Sequence, residues 1–151
     1  MLKLTKKADY GLIALKHLAE SDSGASAKEI AEAYHLPQEA LAKILQRLTR
    51  RGLLVSQHGT NGGYVLARSA REISALEVIE AIDGDVFLTS CSTSSKGCNQ
   101  HDNCTIREPL RKVNHSIRGL LSRIRISDMR DAEMDAALRR EPEAELVRLG
   151  G

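Results

Sequence analysis

Between Lys6 and Ala19 the apolar positions Leu12, Ile13, Leu15 and Leu18 share one side of a 3.6-residue period, and Thr5 stands where an N-cap belongs; a first helix is expected there. Ser21-Asp22-Ser23-Gly24 ends it as a loop. Ser26-Ala27-Lys28-Glu29 has the form of a capping box and opens a short helix over Ile30, Ala31 and Ala33 that stops near Tyr34-His35. Pro37 starts a third helix, at a position where its missing N–H costs nothing, and Gly52 ends it. That helix turns Leu41, Ile44, Leu45 and Leu48 inward and Gln38, Glu39, Lys43, Gln46, Arg47 and Arg50 outward.

The helical period then stops. Leu53-Leu54-Val55 and Tyr64-Val65-Leu66 read as short strands on either side of a glycine-rich tip, His58-Gly59-Thr60-Asn61-Gly62-Gly63. Two short helices joined by a tight turn make a helix-turn-helix, and a hairpin directly after it makes a winged helix. A second capping box, Ser74-Ala75-Leu76-Glu77, starts a helix through Val78, Ile79 and Ile82 that Asp83-Gly84 closes.

After a polar stretch, Ile106, Leu110, Val113, Ile117, Leu120, Leu121 and Ile124 recur every three or four residues to about Ile126, with Pro109 tolerated in the first turn. The pattern offers this long amphipathic helix no obvious partner within the chain, so its stripe is expected to form a homodimer interface. A short helical segment is expected around Met129 to Leu138, and the charged tail past Glu141-Pro142 is expected to fray. The expected fold class is mainly α with a small β-hairpin wing. It divides into a winged helix-turn-helix over 1–84, a cysteine-rich loop over 85–105, a long dimerisation helix over 106–128 and a tail over 129–151.

Composition agrees with helices packed on helices, since aromatic residues make up 3% of the chain and Trp is absent. The net charge of +2 is unevenly spread. Residues 1–70 hold ten Lys or Arg against six Asp or Glu, a net +4, which leaves −2 for the rest. A basic first half suits binding to a polyanion. On the third helix, Lys43, Arg47 and Arg50 suit phosphate or guanine contact, and Gln38 and Gln46 can reach base edges; Glu39 accepts from a cytosine amino group or points away. Lys28 on the preceding helix joins this set. At the wing tip His58, Thr60, Asn61, Gly62, Gly63 and Tyr64 are candidates for a groove or backbone contact, because glycine lets the tip turn tightly and approach closely. The expected partner is a double-stranded DNA operator. A solvated helix face and an ordinary hairpin turn are the bland alternatives, and the helix-turn-helix followed by a wing weighs against them.

All three cysteines, Cys91, Cys98 and Cys104, fall in one polar segment at a spacing of C-x6-C-x5-C. With no signal-peptide pattern ahead of the first helix and no apolar run long enough to span a bilayer, the expected compartment is the cytoplasm, with no membrane partner. Thiols stay reduced there, so an odd, clustered set points to metal or redox chemistry and not to disulfides. Three readings follow: an iron-sulfur cluster, a structural zinc completed by His101, or a metal-free thiol sensor. No pocket or paired His/Asp constellation accompanies the thiols, so no enzyme is expected.

Leu4-Thr5-Lys6-Lys7-Ala8-Asp9-Tyr10, the wing Gly59-Thr60-Asn61-Gly62-Gly63-Tyr64-Val65-Leu66 and the three-cysteine loop, in this order, resemble the IscR- and NsrR-type family of dimeric iron-sulfur transcription regulators. The resemblance implies a cytoplasmic, homodimeric DNA-binding repressor whose operator affinity follows redox state, nitric oxide or cluster status. It further implies metal ligation by Cys91, Cys98 and Cys104. IscR-type members place a histidine ligand three positions after the last cysteine; here that position is Arg107, which cannot ligate. This departure favours the NsrR type or a regulator of the SUF system. There a carboxylate from the first helix of the other subunit completes a four-iron cluster, and Asp9 holds the matching position. A 4Fe-4S cluster is accordingly preferred to 2Fe-2S, with His101 and Glu108 as rival fourth ligands. Many relatives carry arginine in the wing where this chain has His58. The alternative function is a winged-helix regulator with structural zinc or metal-free thiols that acts through a partner protein.

Overall fold

The structure, a computed structural model, describes residues 3–59, 62–89 and 101–140. Six helices and one hairpin follow the order α1 (Lys6–Ala19), α2 (Ala27–Tyr34), α3 (Gln38–Arg50), β1 (Leu54–Gln57), β2 (Gly63–Leu66), α4 (Ala75–Asp83), α5 (Arg107–Arg123) and α6 (Asp131–Arg139) among the described residues. Thr5, Ser26 and Ser74 accept the N3 backbone N–H of α1, α2 and α4, as their positions predict. At Ser74 the box is complete, with Glu77 returning to the Ser74 N–H at 2.9 Å. Burial by itself would raise the Glu77 pKa. The hydrogen bond from Ser74 N–H and the Arg68 guanidinium at 2.8 Å outweigh it and hold the carboxyl below its ordinary value of 4.5.

The core lies where α1 packs across α3 and α4, floored by the first residue of the hairpin. Leu15, Ile30, Leu41, Leu45, Leu48, Leu54, Ile73, Val78 and Ile126 are its largest fully buried side chains. Each contributes about 1.5–3 kcal/mol by leaving water. The hairpin is antiparallel, with Leu54 opposite Leu66 and Gln57 opposite Gly63. A further bridge pins it to the loop before α2: Tyr64 N–H donates to Ala25 O at 2.8 Å, and Ala25 N–H returns to Tyr64 O at 3.1 Å. A Cβ on Gly63 would lie 2.7 Å from Ala25 O, so this glycine is needed for close backbone approach.

Two expectations about the long helix change. It ends at Arg123, short of Ile126, because the chain straightens at Ile124 and Arg125 bridges back to Ser74. That bridge carries Ile124 and Ile126 into the winged-helix core, leaving them 8% and 2% exposed. The helix also has a neighbour within the chain: α5 lies against α4, with an Arg118–Glu80 ion pair at their contact. Gln38, not Pro37, is the first residue of α3, and Pro37 is its N-cap. The expected tail beyond Arg140 lies outside the described residues.

Candidate nucleic-acid interface and cysteine segment

The split of α3 follows its sequence pattern. Leu41, Ile44, Leu45 and Leu48 are buried, while Gln38, Glu39, Lys43, Gln46, Arg47 and Arg50 are exposed. The helix therefore offers amides and cations along one continuous outer side. On α2, Lys28 is exposed and reaches Glu32 only at 4.0 Å, a surface pair that holds it weakly. In the wing His58 and Gly62 are exposed, whereas Gly63 and Tyr64 are half-buried and Tyr64 packs against the core. Thr60 and Asn61 lie outside the described residues. The helix-turn-helix turn passes through His35, which adopts the left-handed conformation at φ 54° and caps α2 through its N–H to Ala31 O.

Arg47 has a second role that its place in the sequence does not signal. Its Nε donates to Ala81 O at 2.8 Å, a carbonyl in the last turn of α4. That carbonyl has no partner within its own helix, and a guanidinium there also opposes the negative end of the helix dipole. At the same end of α4, Thr5 Oγ1 donates to the Asp83 carboxylate at 2.8 and 2.9 Å. The last turn of α4 is thus gripped from one side by α3 and from the other by the start of α1. Gly84, at φ 83°, turns the chain out of this grip toward the cysteine segment. Both links join residues far apart in sequence, and no local motif announces either.

Beyond Gly84 the chain runs onto α5, where Leu88 N–H donates to the Asn114 side chain at 2.9 Å. Cys104 follows a 3-10 turn over His101–Asn103, is half-buried, and is not in a disulfide. Cys91 and Cys98 lie outside the described residues. Asp9 is exposed in the first turn of α1, and its side chain makes no hydrogen bond or ion pair among the described residues. Of its rivals, Glu108 is engaged with Arg111 at 3.0 Å. Among the described residues no three His, Cys, Asp or Glu side chains converge as a metal site. The donor chemistry suits soft-metal ligation: three thiols in one segment, one of them half-buried beside the start of a helix.

A helix-turn-helix whose outer side is polar and basic, followed by a wing and a long partly covered helix, defines a winged-helix DNA-binding protein. The chain belongs to the Rrf2 family: the family model, described as an iron-dependent transcriptional regulator, matches residues 4–132. It is 31% identical over 130 residues to the HTH-type transcriptional regulator IscR of Cronobacter sakazakii, covering 85% of this chain and 80% of that one. It is 34% identical over 115 residues to the HTH-type transcriptional regulator NsrR of Oceanobacillus iheyensis, covering 74% of this chain and 78% of that one. Among solved structures it is similar to CymR, the global cysteine regulator of B. subtilis, with a TM-score of 0.71, 25% identity and coverage of 85% and 96%. It is also similar to T. potens IscR, with a TM-score of 0.66, 29% identity and coverage of 93% and 94%. The protein is a transcriptional regulator that binds DNA, and it is not an enzyme. Among the described residues no helix is long and apolar enough to cross a membrane.

Proposed function

We propose that this protein is a cytoplasmic, homodimeric transcriptional repressor whose operator affinity depends on an iron-sulfur cluster held by Cys91, Cys98 and Cys104. The observation that carries the reading is that all three thiols sit in the one segment joining α4 to α5, directly beyond the α4 turn that α3 and α1 grip. The iron-dependent description of the family and the likeness to IscR and NsrR regulators support it. Asp9 of the partner subunit is the proposed fourth ligand, its exposed carboxylate being a hard donor with no partner among the described residues. A 4Fe-4S cluster suits that ligand set better than 2Fe-2S. When bound, the cluster supplies a cross-link among thiolates that oxidation or nitric oxide can break.

The chain's own residues do the rest. Lys28, Gln38, Glu39, Lys43, Gln46 and Arg50 meet the operator, with His58, Thr60, Asn61 and Gly62 at the wing tip and Gly63 and Tyr64 setting its base. Arg47 both faces this side and fixes α3 to α4, so a shift of the α4 end alters how the recognition helix is presented. Thr5 passes the same shift to the first turn of α1, where Asp9 stands. Holding the cysteine segment in one arrangement therefore selects one disposition of the two recognition helices in the dimer. The apolar stripe of α5 supplies the dimer contact, since Ile106 at its N-cap and Val113 within it remain 59% and 47% exposed and the helix has no buried residue.

Protein purified without oxygen is expected to be brown, with iron and sulfide in stoichiometric amounts, and Cys98→Ser is expected to remove both the colour and the cluster-dependent part of operator binding. Colourless protein carrying one zinc per chain would overturn the cluster. Asp9→Ala is expected to leave a dimer whose cluster is labile; an unchanged spectrum and lifetime would remove Asp9 from the ligands. A second reading, a regulator with structural zinc or metal-free thiols acting through a partner protein, draws on the likeness to CymR structures, one of them of the Staphylococcus aureus protein in an oxidized form, at a TM-score of 0.64 and 26% identity. It predicts no iron and a heteromeric complex.

A further inference from the structure

At the end of α1 remote from Thr5, a polar cleft of about 540 Å³ opens between the winged helix and the C-terminal segment. Its walls come from the last turn of α1, the turn after the wing at Ala70 and Arg71, and the chain from Arg125 onward into α6. The two sides are fixed to each other by backbone: Ser127 N–H donates to Ala70 O at 3.2 Å and Ile126 N–H to Ile73 O at 2.9 Å. A cleft of this size accommodates a metabolite-sized ligand.

Five cationic side chains line the cleft against three carboxylates, an excess of two positive charges. The pairing within it is specific. Arg130 meets Glu20 at 3.4 Å, and Arg140 meets the buried Asp128 at 3.2 Å, with the Arg125 N–H also on Asp128 at 3.0 Å. That leaves the side-chain charges of Lys16, Arg71 and Arg125 with no acidic partner within salt-bridge distance among the described residues, each brought in by a different segment. Gathering like charges from three segments is unfavourable unless something anionic answers them.

We propose that this cleft binds a small polyanion, a ligand with two or more carboxylate or phosphate groups, through Arg71, Arg125 and Lys16. Two guanidinium forks suit either group because each presents paired N–H donors matched to two oxygens. A compact ligand fits better than a DNA backbone, since Glu133 and the paired Glu20 and Asp128 line the same cleft and repel an extended row of phosphates. Bridging Lys16 and Arg71 on one side to Arg125 on the other, the ligand holds the C-terminal segment against α1. This is an input separate from the cysteine segment, and it does not rest on the cluster.

The test is calorimetric titration of the full-length protein with citrate and with pyrophosphate, against chloride at matched ionic strength, together with thermal melts. Saturable binding of one anion per chain with a raised melting midpoint is expected. Arg71→Gln/Arg125→Gln should weaken it about tenfold or more, because each lost fork removes charge-assisted bonds, while Arg71→Lys/Arg125→Lys, which keeps the charge, should fall between. Binding of citrate alone assigns the site to carboxylates, of pyrophosphate alone to phosphates, and of both to either. Lys16→Gln, on the exposed last turn of α1, gives an independent variant should the double substitution fold poorly. Wild type that binds neither anion, or a Gln variant that binds as well as wild type, would overturn the proposal. Failure to bind either anion combined with weakened operator binding by the Gln variant would assign these cations to DNA instead.

Discussion

α4 and α5 lie against each other, yet they meet the solvent in opposite ways. α4 has nine residues and buries five of them, Ala75, Val78, Ile79, Ala81 and Ile82. α5 has seventeen, carries an apolar stripe, and buries none. Their propensities do not explain this, since both are amphipathic with acids in the first turn. The difference is partners: α4 meets α1 and α3 on its apolar side, while among the described residues the main helical neighbour of α5 is α4, leaving a groove of about 410 Å³ lined by Leu4, Ile79, Phe87, Ile117 and Leu121. A helix covered from one side is tied to the domain at its ends and leaves its apolar stripe open along its length.

Substitutions can separate the two roles. The largest effect is expected in the core around α4: Leu45→Ala removes a fully buried side chain and should cost about 2–5 kcal/mol in denaturant unfolding. Val113→Ala on α5 should cost within about 0.5 kcal/mol in the dissociated chain, and an equal loss at both sites would break the contrast. Val113→Glu with Ile117→Glu should instead weaken the proposed dimer by about 2 kcal/mol or more, read by sedimentation; an unchanged dimer would move the interface off α5. Thr5→Ala, which loses the α1 cap and the tie to Asp83, should cost about 1 kcal/mol.

The smallest effect is electrostatic. The folded-state pKa of Glu77 is lowered, so its carboxylate stabilises the fold at neutral pH, and that contribution fades as pH falls below 4.5 and through the folded value. Glu77→Gln should therefore be less stable than wild type at pH 7 by roughly 0.5–1 kcal/mol, a figure kept low by the 41% exposure of the side chain. The gap should close in acid, and a gap that stays constant with pH would show that the charge contributes nothing.

Much of the winged helix was legible because its signals are local. Caps at Thr5, Ser26 and Ser74, the stripe of α3 and the glycine-rich hairpin each declare themselves within a few residues. What was not legible depends on distant partners. The end of the long helix was set by Ser74, fifty-one positions before Arg125, and nothing near Ile124 marks the break. Arg47 reads from its face as a DNA contact, yet its Nε is spent on the carbonyl of Ala81, 34 positions further along the chain. Gly63 reads as a flexible tip residue, whereas the space it leaves is filled by the Ala25 backbone.

The bridge between Ser74 and Arg125 closes a loop in the chain. The ends of this loop, at the start of α4 and just past the end of α5, are held together by Ala75 N–H to Ile124 O at 2.8 Å and Ile126 N–H to Ile73 O at 2.9 Å, and α4 itself is packed into the core. In a closed loop, added or deleted residues change the closure entropy only logarithmically, about 0.6 kcal/mol for each doubling of length. The gaps between the cysteines can therefore lengthen or shorten at small cost to the domain that reads DNA. The spacing of the cysteines and the stability of the fold are, in this chain, nearly independent quantities.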